Sequence, residues 1–193
     1  MIDFSVLYNK LQHELTKLES PEVFFKILPD LRVYAANFKS DKALELLRSY
    51  RKKIEPFATP EMTFYLLDLE CRQIYGTPAS LPIFEKYLAN MEQLLTHIDS
   101  PDCAALYKHL LWTFLLLKNN IDCAYSSLVE AWEIVTTKQV SDYVRYSIQY
   151  SYALELKYRE KTSKIIPLLE ECLNYFSKAK LYSGVIRTFG QLI

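Results

Sequence analysis

Glycine is scarce in this chain: only Gly76, Gly184 and Gly190 occur in 193 residues, and the last two fall inside a helical pattern. Cradles for phosphates and dinucleotides need several glycines within a few residues, so that the backbone can approach the anion. Nucleotide-loop enzymes are excluded on that ground. Charge of one sign is missing as well. Lys plus Arg and Asp plus Glu number 23 each, so no global field draws nucleic acid or an anionic membrane. A local basic patch of Arg48, Arg51, Lys52 and Lys53 reads as the solvated last turn of a helix, where cations complement the dipole. Neither nucleic acid nor membrane is expected as a partner.

Long apolar runs are absent too. The longest, residues 110–117, is broken by Thr113 and flanked by Lys108 and Lys118, far short of the ~20 residues a membrane span needs. Asp3, Lys10, Glu14 and Lys17 interrupt the N-terminal segment, which therefore does not read as a signal peptide. The expected location is the cytoplasm. Cys71, Cys103, Cys123 and Cys172 form no C-x-x-C pair and have no histidine at ligand spacing, so they read as buried thiols in a reducing compartment. No metal and no cofactor is expected. His13, His97 and His109 lie far apart, with no acid at fixed offset and no serine in a strained turn, so no catalytic residue is assigned.

What the chain does have is an apolar fraction of 50%, enough for a large core, and a recurring start signal. Ser20-Pro21-Glu22, Thr59-Pro60-Glu61 and Ser100-Pro101-Asp102 each combine a capping hydroxyl, a proline at the first helical position and an acid facing the positive end of the dipole; Ser141-Asp142 stands in the same place later. Counting from Pro21 to Pro60, Pro101, Asp142 and Ser183 gives steps of 39, 41, 41 and 41. A second helix lies between successive starts, over 41–53, 80–98, 121–137 and 162–179. These follow polar breaks at Lys39-Ser40, Gly76-Thr77-Pro78, Asn119-Asn120 and Glu160-Lys161. The unit is an αα-hairpin: helix A, tight turn, helix B.

Superposing the A helices on this register separates two faces. Two, six and nine positions past the start come Met62, Cys103, Val144 and Val185, then Leu66, Tyr107, Ile148 and Phe189, then Leu69, Leu110, Ser151 and Leu192. These offsets share one side at ~100° per residue and are nearly all apolar, which makes them the buried seam. Eight past come Asp68, His109, Tyr150 and Gln191; five past come Tyr65, Leu106, Ser147 and Thr188; twelve past come Arg72, Thr113 and Leu154. Groups able to hydrogen-bond recur there as a polar ladder. It reads either as an inner wall for a partner or as the solvated face of amphipathic helices.

With that register the chain resembles the tetratricopeptide-repeat (TPR) family in its longer-period form, as found in bacterial signalling proteins. In that family a small residue recurs twice in helix B, seven apart. Ala124 and Ala131 match both sites, Ala43 the first and Cys172 the second; the small site of helix A falls at Cys71, Trp112 and Ala153, and the tryptophan there suggests looser packing. The turn over 118–124 resembles the family's Gly-Asp-aromatic-x-x-Ala turn with Asn119 in place of glycine, asparagine being the next best residue for a left-handed backbone. The resemblance covers about residues 20–193. It implies an all-α, right-handed α-solenoid of antiparallel hairpins: an N-terminal helix in 1–19, then one continuous domain over 20–193 with four hairpins and the first helix of a fifth.

The same resemblance implies a groove along the A helices that holds a protein or peptide. Its lining maps to Tyr65, Asp68, Arg72, His109, Thr113 and Tyr150, with Lys157 and Tyr158 at the deeper end. Tyr146 and Tyr150, four apart and away from the seam, are the pair expected to touch a ligand. Val185, Phe189, Leu192 and Ile193 continue the seam with no helix B after them, which points to a C-terminal output domain or a second subunit at that end. The expected function is a non-catalytic docking or sensory repeat domain of a larger cytoplasmic bacterial signalling protein. The alternatives are an intracellular receptor for a short signalling peptide and, less favoured, an enzyme with its site in the groove.

Overall fold

The computed structural model of the chain describes residues 4–38, 40–74, 80–159 and 164–192. The expected breaks at Lys39, Gly76-Thr77-Pro78 and Glu160-Lys161, the expected helix start at Thr162, and Ile193 lie outside the described residues. Among the described residues there are ten helices and no strand: α1 (Phe4–Thr16), α2 (Pro21–Asn37), α3 (Asp41–Ile54), α4 (Pro60–Ile74), α5 (Leu81–Leu95), α6 (Pro101–Leu117), α7 (Ile121–Thr137), α8 (Asp142–Arg159), α9 (Ile165–Lys178) and α10 (Tyr182–Leu192). The fold is all-α, and neighbouring helices pack on one another as helical repeats do. The A helices are α2, α4, α6, α8 and α10. Each begins at, or one residue from, the start signal read in the sequence.

The start signals work by two chemistries. Ser20 and Thr59 accept the N–H of Val23 and Met62 at 3.4 and 3.2 Å, as capping hydroxyls do. Ser100 makes no such bond. Ser141 instead gives its N–H and its hydroxyl to the two carboxylate oxygens of Asp102, at 2.8 and 2.6 Å. The first-turn acid of α6 thus fixes the start of α8, two helices further on.

Helix ends are set with equal definition at two places. Asn119 has φ 58°, with its N–H on Leu116 and that of Asn120 on Leu115, a Schellman stop with asparagine in the left-handed position as expected. After α9 the same geometry recurs at Lys180, φ 59°, with Leu181 donating to Phe176. Leu181 and Phe176 are both buried there, adding the apolar contact that accompanies the motif.

Contacts divide the chain into two compact units, Met1–Ile98 and Asp99–Ile193. In the first, α4 is the hub, with ten of its 15 residues buried. The N-terminal helix α1 belongs to this unit, tied to α3 by the Tyr50 hydroxyl donating to the Leu11 carbonyl at 2.6 Å. Phe24, Phe64 and Phe84 are fully buried, each worth about 1.5–3 kcal/mol by transfer. In the second unit the small helix-B residues Ala124, Ala131 and Cys172 are fully buried, as is Ala43 in the first. At the small site of helix A, Cys71 and Ala153 have no exposed surface, whereas Trp112 is half-buried and stacks on His109 of its own helix.

The seam is buried in α4, α6 and α8. Met62, Cys103, Val144, Leu66 and Ile148 have no exposed surface, and Leu69, Leu110, Tyr107 and Ser151 are buried as well. In α10 it is not: Phe189 is 57% exposed, and Val185 and Leu192 are half-buried. Instead α10 lies on α9 through Gly184 and Thr188. A Cβ at Gly184 would stand 2.8 Å from the Phe176 ring, so only glycine permits this approach. Gly184→Ala is therefore expected to cost about 1–3 kcal/mol. Lys180→Gly, which relieves a left-handed lysine, should add about 0.5–1 kcal/mol. Urea unfolding midpoints read both; an unchanged Gly184→Ala midpoint contradicts the packing described.

Candidate functional site

The polar ladder of the A helices is neither a solvated face nor an open wall. In the first unit Asp68 is 1% exposed and ion-pairs with Arg72 one turn on at 2.9 Å, while Arg72 keeps a solvent-reaching edge. Tyr65 is buried between helices: the Arg32 guanidinium of α2 lies 4.9 Å from its ring centre, Phe25 meets it edge-on at 6.2 Å, and its hydroxyl donates to Glu61. Gln73 donates to the Ala35 carbonyl at 2.8 Å. Tyr65 of the α4 ladder, with Gln73 beyond it, thus lies against α2.

Sequence reasoning missed the strongest polar feature of this unit. Glu70, with no exposed surface, accepts from Arg51 of α3 at 2.8 and 3.3 Å and from the Tyr87 hydroxyl of α5 at 2.7 Å. Arg51, read as part of a basic patch, is engaged internally. The available signal was positional, because Leu111 and Tyr152 occupy the register position of Glu70 in α6 and α8.

In the second unit His109 is buried, stacked on Trp112 at 5.3 Å, with Nε2 2.8 Å from Ser151 Oγ on α8. The Ser151 hydroxyl points to the Ser147 carbonyl at 3.4 Å, which leaves its oxygen to accept from the imidazole. This brings a serine beside a histidine, as the sequence did not foretell. Ser151 sits in the middle of α8, however, where backbone N–H groups are engaged in the helix and do not form an oxyanion site. The pair ties α6 to α8.

The aromatic pair expected to meet a ligand is turned toward helix B. Tyr146 stacks on Tyr175 of α9 at 4.6 Å, and Tyr150, 8% exposed, meets Phe176 of α9 edge-on, with the Arg187 guanidinium 5.5 Å from its ring centre. Gln149 adds bonds to the Leu168 carbonyl and Glu171. Thr113 is half-buried, donating to the His109 carbonyl. Lys157 and Tyr158 reach solvent: Lys157 donates to Gln191 of α10 at 3.1 Å, and Tyr158 is 76% exposed. Of the groove candidates, Lys157 and Tyr158 are exposed, Arg72, Thr113 and Tyr146 are half-buried, and Tyr65, Asp68, His109 and Tyr150 are buried.

Among the described residues no three His, Cys, Asp or Glu side chains gather as a metal site. No described helix is long and apolar enough to cross a membrane. Comparison with family models, with curated proteins and with solved structures finds no match.

Three of the cysteines are buried as expected; Cys123, near the start of α7, is exposed. Burial holds the Cys71 thiol well above its ordinary value, and burial, with Glu171 nearby, pushes Cys172 up to about 12. The thiolate is the nucleophile, so these groups are inert in the folded chain. Ellman's reagent at pH 8 should titrate Cys123 alone rapidly, and all four cysteines once the chain is denatured. Because the folded-state values lie above the unfolded value of 9.0, the unfolded chain releases these protons first. The associated stability is present below that pH and is lost as pH rises through the folded values.

Proposed function

We propose that the chain is a TPR-like, right-handed α-solenoid with a period of about 41 residues, and that it acts as a non-catalytic scaffold for a protein or peptide. One observation supports this most. The ladder side chains are fixed by their neighbours, Asp68 on Arg72 and His109 on Ser151, so Arg72 and Thr113, and Lys157 through Gln191, are held in place before any partner arrives. Preorganised side chains lose less freedom on binding, which favours recognition. Arg72 in the first unit, and Thr113, Lys157 and Tyr158 in the second, are the contact residues of this reading. It assigns the scaffold to a cytoplasmic bacterial signalling protein, on the strength of the repeat resemblance, with a docked output domain or a signalling peptide as the partner.

The test is a peptide array probed with the whole chain, followed by affinity measurement on the peptides retained. Lys157→Glu combined with Tyr158→Ala should weaken binding about 10-fold or more, with the thermal melt lowered only slightly by loss of the exposed Lys157–Gln191 bonds. Retention of peptides with undiminished affinity by this variant would remove the assigned contact surface. Turnover of a substrate lost on Ser151→Ala, with the fold intact, would replace the scaffold reading with a catalytic one.

A further inference from the structure

We draw no further inference here: the strongest candidate, the cationic patch that Arg48, Arg51 and Lys52 form on one face of α3, carries nothing because Glu45 and Glu55 on that face and the buried Glu70 that holds Arg51 balance its charge, and no contact in the structure shows what would cover it.

Discussion

A polar group taken out of water must find a partner inside the protein, and the A helices of this chain are buried on so many sides that the requirement shapes everything else. Glu70 shows it in the strongest form. Its carboxylate has no exposed surface, yet three hydrogen bonds from Arg51 and Tyr87 satisfy it, and in satisfying it they tie α3 and α5 to α4. Desolvating a carboxylate costs several kcal/mol unless opposite charge and donors surround it. The packing of these helices and the pairing of that side chain therefore depend on each other. In the second unit other pairs do the same work: His109 on Ser151, Gln149 on Leu168 and Glu171, and the Asp102 carboxylate on the start of α8.

This constraint also changes what the polar ladder means. Side chains that recur along the A helices are mostly satisfied within the protein, Asp68 by Arg72 of its own helix and His109 by Ser151 of α8, so their repetition does not by itself mark an open face. The edges that remain wet are those of Arg72, Thr113, Lys157 and Tyr158 among others. α8 and α10 make the contrast plain: Ile148 is fully buried and its register equivalent Phe189 is 57% exposed, with the same apolar character in both.

Much of the fold was legible in the sequence because its signals are local. Proline at the first helical position, a capping hydroxyl, and asparagine at a left-handed stop are short-range chemistry, and the helices begin where these signals stand. The seam was legible as well, since burial of one side leaves a periodic trace. The site was less so. Periodicity shows that a face is polar but not whether that face meets water or another helix, and Asp68 and His109 look alike in sequence under either condition. Tyr146 and Tyr150 lie off the seam by register, yet tyrosine is long enough to reach α9. Glu70 escaped notice because its partners, 19 and 17 residues away, have no fixed spacing from it.

The central claim is that paired burial of polar groups holds the helices together, and removing the counter-ion tests it most directly. Arg51→Met leaves the Glu70 carboxylate buried without its cation and should lower the unfolding free energy by about 2–3 kcal/mol, the partial exposure of Arg51 tempering the loss. Adding Glu70→Leu removes the stranded charge and should restore most of that stability in the same urea titration. An Arg51→Met chain as stable as the wild type, or a double variant no more stable than the single one, would contradict the account.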